Sequence, residues 1–306
     1  MRATPFSAQQ YDAGHILRDP LSLLEYMPFI AINGIQLHYE TSGAGPPLLL
    51  IHGLGSSGDD WAFQQPDFAA YFHLILPDLR GSGRSDKPRG AYSIQQFADD
   101  LWSLLDKLHI AEITIVGFSL GGAVALQMAA DQARRVHALV LVNSLPSYRI
   151  DHWKKWLEAK LQIGLVRTLG VRRTAALVAR RMFPHEHQIP MRERVVSVVG
   201  ANPRRAYLAT IKALIGWSAA EHLPRITCPT LIVAAEHDYT PLAEKHDYAA
   251  RLPNGRISVF MGSRHGTPFD AREEFNTRVL AFLHECHALE GAPLAMMQST
   301  LPETSD

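Results

Sequence analysis

The stretch ITIVGFSLGG, residues 113–122, decides how this chain is read. Ile113 to Val116 has the length and β-branched content of a buried strand, and GFSLGG (117–122) follows at once with one hydroxyl set between glycines. A serine at the tip of a sharp strand-to-helix turn occupies a strained backbone conformation. Strand and helix then pass so closely that the positions two residues either side have no room for a side chain. Gly117 and Gly121 meet that demand. The turn pushes Ser119 out above the carboxyl ends of the strands, where open sheets bind ligands. It also aims the free N–H groups of a helix beginning near Leu120 at whatever reacts there.

A serine hydroxyl is a poor nucleophile until a base takes its proton, and the base needs an acid to hold its tautomer. Among the 15 histidines, His265 in MGSRHGTPFD follows the last strand expected, 257–261, in a loop freed by Gly262 and Gly266. Asp238 closes the penultimate strand in LIVAAEHDYTP, at the same sheet edge. Glu236 is the second choice, on the same side of an extended chain, and Asp151 the third. The competing role for Asp238 is as N-cap of a helix beginning near Pro241. A tetrahedral intermediate further needs two donors for its oxyanion, one after the nucleophile and one from an early strand–helix loop. The backbone N–H groups of Leu120 and Leu54 fit.

Working outward, short apolar runs alternate with amphipathic ones. Strands are expected at 30–39 (broken by Asn33-Gly34), 48–51, 73–76, 113–116, 138–142, 230–234 and 257–261. A helix is expected over 93–108, with Ser93 as N-cap. Near-continuous apolar strands between helices imply an α/β protein with a parallel sheet covered on both faces. The alternation stops over 147–221, which reads as helices broken at Gly170, Pro184, Pro190 and Pro203. Trp153, Trp156, Leu157 and Leu161 fall on one face there.

At 306 residues and 47% hydrophobic, the chain can bury a substantial core. Lys+Arg and Asp+Glu are 30 each, which gives nucleic acid no overall field to follow. Within 147–221, however, 14 basic residues face 5 acidic ones, a balance of +9 that leaves −9 for the remainder. Solvated helix faces and attraction between the two parts explain this in the simplest way. A sharper reading has arginines facing a cleft and clamping a substrate carboxylate. A third takes Trp153 and Trp156 with Lys154, Lys155 and Lys160 as an interfacial helix, although tryptophans on such helices are ordinarily packed. GLGSSG (53–58), with Asp78 twenty residues on, outlines a dinucleotide fingerprint, but Asp59 and Asp60 would repel the pyrophosphate and Pro66 interrupts the helix. No nicotinamide or flavin is expected. His185 and His187, two residues apart, would put their rings on different helix faces, so no metal is expected. Cys228 and Cys286 read as small buried hydrophobes. The N-terminus shows neither a signal-peptide core nor a membrane span, so a cytoplasmic protein without a stable membrane anchor is expected.

HGLGSSGDDW (52–61), DLRGSGRSDKP (78–88), GFSLGG (117–122), the strand-end Asp238 and the His265 loop stand in the order nucleophile, acid, base. On these, the chain from about Phe29 to Leu289 resembles the α/β-hydrolase superfamily. The resemblance implies an eight-stranded, mostly parallel sheet with one antiparallel strand, a helical cap inserted after the sixth strand, and no cofactor. It implies a core of 29–146 and 222–290, a cap of 147–221, an N-terminal extension of 1–28 and a tail of 291–306. The chain looks most like the capped branch of carboxylesterases, enol-lactonases and carbon–carbon bond hydrolases. Ser119 argues against the dehalogenase and epoxide hydrolase relatives, which use aspartate there. Ala234-Ala235-Glu236-His237 departs from the glycine often found before the acid.

The expected function is cleavage of a small carboxylic ester or lactone through an acyl-enzyme, by a monomer or homodimer. Trp61, Phe118, Met182, Phe183, Leu214 and Trp217 are the expected apolar pocket. Carbon–carbon cleavage of a meta-cleavage product, or cofactor-free perhydrolysis, would use the same three residues. A non-catalytic ligand receptor on the same fold is the rival from another class.

Overall fold

The computed structural model describes residues 28–288; the expectations for 1–27 and 291–306 lie outside the described residues. The strands are β1 (Phe29–Ile32), β2 (Ile35–Ser42), β3 (Pro47–Ile51), β4 (His73–Pro77), β5 (Ile113–Phe118), β6 (Val136–Val142), β7 (Thr230–Ala235) and β8 (Gly255–Phe260). The helices are α1 (Gln65–Phe68), α2 (Ile94–Lys107), α3 (Leu120–Asp131), α4 (Trp153–Leu169), α5 (Val171–Met182), α6 (Ile189–Gly200), α7 (Arg204–Leu214), α8 (Leu242–Ala249), α9 (Thr267–Asp270) and α10 (Arg272–His287).

One sheet results, in the order β1-β2-β4-β3-β5-β6-β7-β8. Only β2 runs against the others: it is antiparallel to both β1 and β4, and all remaining pairs are parallel. Asn33 (φ 42°) and Gly34 (φ 76°) turn β1 into β2 with the two positive φ angles that a tight hairpin demands. Within each central strand alternate residues serve opposite faces. Leu49, Ile51, Ile115, Leu139 and Leu141 join the core shared with α2 and α3, whereas Leu48, Leu50, Val116 and Val140 join the one shared with α10. Helix α2 starts where Ser93 accepts the N–H of Gln96 at 3.0 Å, and it buries Phe97, Leu101, Leu104 and Leu105.

Between β6 and β7 the chain leaves the sheet and forms α4 to α7. Its exit and return are tied into a short neck. Ser147 pairs antiparallel with Ser218, the Tyr148 N–H donates to the Trp217 carbonyl (2.8 Å), and the Gly216 N–H donates to the Tyr148 carbonyl (2.9 Å). The segment is therefore not helical throughout, because its first and last residues pair with each other. Gly170 (φ 79°) separates α4 from α5 as expected, but Pro190 lies in the first turn of α6, where its missing N–H costs nothing. Trp153, Trp156, Leu157 and Leu161 do share a face of α4, yet that face is exposed and not packed.

Candidate active site

Ser119 stands between the end of β5 and the start of α3 with φ 54° and ψ −113°, a positive φ that a side-chain-bearing residue adopts only under strain. The glycines around it are required by contact. A Cβ at 117 would overlap the backbone of Gly121, and one at 121 would overlap the carbonyls of Ile51, which ends β3, and of His52 just beyond it.

Three side chains distant in sequence meet here. His265 Nε2 lies 2.9 Å from Ser119 Oγ, and His265 Nδ1 lies 2.7 Å from Asp238 Oδ1. An ionised carboxylate only accepts, so Nδ1 carries the hydrogen and Nε2 accepts the serine O–H. His265 is 4% exposed and the Asp238 side chain is wholly buried. Burial alone would raise the Asp238 pKa, but hydrogen bonding and attraction from His265, then Lys245, outweigh it and hold the carboxyl well below the usual range.

Sequence reading missed the other side of this carboxylate. Lys245 on α8 is fully buried, and its Nζ lies 2.6 Å from Asp238 Oδ2 and 3.1 Å from Asn143 Oδ1. The Thr240 hydroxyl also donates to Oδ2. Burial lowers the Lys245 pKa, while Asp238 pulls it back up. Asn143, with φ 47° just past β6, is the hub of the site. Its Oδ1 accepts the Ala235 N–H at 2.9 Å, and its Nδ2 donates to the His265 carbonyl (2.9 Å) and to Thr267 Oγ1 (2.8 Å). The available signals were a polar Asn closing an apolar strand and a lysine one helical stretch beyond the acid.

The other acids are elsewhere. Glu236 caps the turn after β8 by accepting the Gly262 N–H at 2.8 Å, and Asp151 pairs with Lys155 in solvent. Nor is Asp238 an N-cap, since α8 begins after Pro241 without a side-chain cap.

The loop after β3 brings Leu54 to the same rim. Leu120 is the first residue of α3, so its N–H has no partner within the helix. His52 fastens the loop: Nε2 accepts the Leu79 N–H (2.9 Å), which leaves Nδ1 to donate to the Gly53 carbonyl (2.7 Å). Asp60 accepts the Gly53 N–H at 3.2 Å and the Ser56 hydroxyl, and burial pushes its carboxyl up against those donors. Asp78, the ribose-holding acid of the discarded fingerprint, is fully buried and accepts the N–H of Gly58 itself at 2.7 Å.

The inserted helices reach both sides of this rim. Phe183 packs so closely on Gly266 that a Cβ there would strike its ring, and Tyr207 does the same at Gly55. Tyr239 stacks on His265 with centroids 4.0 Å apart, under the Arg181 guanidinium at 5.6 Å. Trp61, Phe118, Met182 and Phe183 share one apolar cluster, with the Phe118 ring 5.3 Å from His265. Leu214 and Trp217 do not join it. They pack on the cluster that holds Leu54 and Leu120, and the Trp217 indole donates to Gln127 on α3 at 2.7 Å. The His185 and His187 rings stack 5.6 Å apart, against expectation, because His185 is extended and only precedes a short 3₁₀ turn. Among the described residues no group of three or more His, Cys, Asp or Glu side chains is arranged to hold a metal.

A mostly parallel sheet with a strained serine at the end of β5 and a histidine loop after β8 defines the α/β-hydrolase class. The family model described as alpha/beta hydrolase fold matches residues 46–271, and the chain belongs to that family. Similar solved structures include the enol-lactonase of Burkholderia xenovorans (TM-score 0.77, 26% identity, 84% of this chain and 99% of that one). A thermophilic esterase from Thermogutta terrifontis is also similar (TM-score 0.74, 26% identity, 85% and 97%). A Caulobacter vibrioides protein named as a candidate carbamate hydrolase, RutD, is 31% identical over 81% of this chain and 95% of its own.

Proposed function

We propose that this protein is a serine hydrolase that cleaves a carboxylic ester or lactone through an acyl-enzyme. The observation that carries the reading is the unbroken hydrogen-bonded series from Ser119 through His265 to Asp238. His265 takes the Ser119 proton as Oγ attacks the carbonyl carbon, and Asp238 steadies the imidazolium so formed. The Leu54 and Leu120 N–H groups hold the oxyanion. The imidazolium then protonates the leaving oxygen, and the freed imidazole activates a water that releases the acyl group from Ser119. The helices between β6 and β7 act as the cap, and Met182 and Phe183 form, with Trp61 and Phe118, the apolar wall beside the scissile bond. Similarity to an enol-lactonase and an esterase supports this chemistry.

Short p-nitrophenyl esters, a lactone and a ring-cleavage diketone, assayed side by side, test it. Ester or lactone turnover that Ser119→Ala abolishes in a folded protein is expected. Wild-type rates in Ser119→Ala would overturn the assignment, and turnover confined to the diketone would move it to carbon–carbon cleavage.

A further inference from the structure

Helix α4 is apolar on two sides. Ile163 and the fully buried Val166 turn inward and pack with Val171, Tyr207 and Ile211 of α5 and α7. On the outer side Trp153, Trp156, Leu157 and Leu161 recur at helical spacing, 66%, 51%, 51% and 60% exposed. Such a strip is costly in water unless something covers it. It continues into a cavity of about 270 Å³ beside α4, lined by Ile150, Trp156, Ile163 and Ile215 together with the exposed Lys160 and Lys212.

The charges indicate what covers it. Helix α4 carries Lys154, Lys155, Lys160 and Arg167 against Glu158 alone. Lys155 is paired with Asp151, whereas Lys154 and Lys160 lie 6.0 and 5.4 Å from the ring centres of Trp153 and Trp156. Indoles bordered by ammonium groups suit the boundary between hydrocarbon and an anionic headgroup layer. A second copy of this chain, placed on the strip by a two-fold axis, would bring these lysines against their own counterparts, so like charges would oppose the contact.

We infer that the outer face of α4 docks the protein reversibly on a bilayer surface bearing anionic lipids. Trp153 and Trp156 sit at headgroup depth, Leu157 and Leu161 reach the acyl boundary, and Lys154, Lys160 and Lys212 meet lipid phosphates. The cavity accepts the end of one acyl chain. The contact is peripheral, since no helix of the described residues is long and apolar enough to cross a membrane. It is independent of the chemistry assigned to Ser119.

The test is co-sedimentation of the full chain with phosphatidylglycerol vesicles and with phosphatidylcholine vesicles, with tryptophan emission followed alongside. Binding to phosphatidylglycerol, weakened by salt and accompanied by a blue shift, is expected. Replacing both indoles (Trp153→Ser with Trp156→Ser) should lower partitioning at least about tenfold and remove the shift. Lys154→Gln, Lys160→Gln and Lys212→Gln should each cost about fivefold on anionic vesicles only. Neither set should alter hydrolysis of a water-soluble ester. Equal binding to both vesicle types, no binding, or full binding by the double serine variant would overturn the inference. So would a dimer that the serine variant dissociates, or binding of monomeric decanoate without binding of vesicles.

Discussion

Replacing Lys245 with methionine removes a buried cation from the far side of the Asp238 carboxylate that is bonded to His265. Nζ is 2.6 Å from Asp238 Oδ2 and His265 Nδ1 is 2.7 Å from Oδ1. Spanning one carboxylate, the two nitrogens stand roughly 6 Å apart, where like unit charges repel by about 3 kcal/mol at an effective permittivity of about 20. That repulsion opposes forming the imidazolium, and relaxation of Asp238 trims the part of it that remains visible. The sign follows from the charge. With the cation gone, the protonated ring is favoured, so the base is lost at a higher pH. The acid limb of kcat/KM for a soluble ester should move upward in Lys245→Met, with rates at alkaline pH largely kept. Lys245→Arg should hold the limb near its original position. Loss of one partner from a buried pair will also destabilise the fold by about 3–5 kcal/mol, which urea titration measures separately. A limb that stays in place in a folded, active Lys245→Met protein would refute the electrostatic role, because weakened packing alone does not move a titration.

Two further outcomes test the frame. Gly121→Ala forces a methyl against the backbone carbonyls of Ile51 and His52 at the end of β3, which cannot yield as a side chain would. It should cost about 3 kcal/mol or more in thermal unfolding and abolish turnover, and a variant with native melting and rate would disprove the need for glycine there. His287 stacks on His137 at 4.3 Å and bonds Thr114 at 2.8 Å, and burial, then His137 and His284, lowers its pKa from 6.5 to about 4. The unfolded chain therefore takes up the proton first. This contribution to stability is complete above about 6.5 and fades as pH falls towards about 4, so the drop in urea midpoint between pH 7 and 5 should shrink in His287→Gln. An unchanged drop would exclude His287 as its source.

Much of this was written locally in the chain. The GFSLGG turn is recognisable because steric exclusion at Gly117 and Gly121 leaves a signature in residue type, and the strands are recognisable because both their faces are buried. His265 and Asp238 could be found because parallel strands deliver their ends to one rim. Lys245 and Asn143 escaped notice because their roles arise only when β6, β7, α8 and the histidine loop converge, and a lone lysine on a short helix reads as solvated. Leu214 and Trp217 join the cluster that also holds Leu54 and Leu120, not the one that holds Phe118, because hydrophobicity does not say which cluster a residue will choose. The outward face of α4 was misjudged for a related reason: periodicity identifies a stripe but is silent on its direction when both sides of a helix are apolar.

Asn143 stands just past β6, four residues before the neck from which the chain departs for its four-helix excursion, and its amide already grips the histidine loop and the lysine beside Asp238. His265 and Asp238 are thus held by bonds that the excursion does not supply. Chimeras spliced within the neck, at Ser147 and Ser218, are therefore expected to keep the Ser119–His265–Asp238 series, while the loop after β3 loses the support that Asn202 and Tyr207 give it at Gly55.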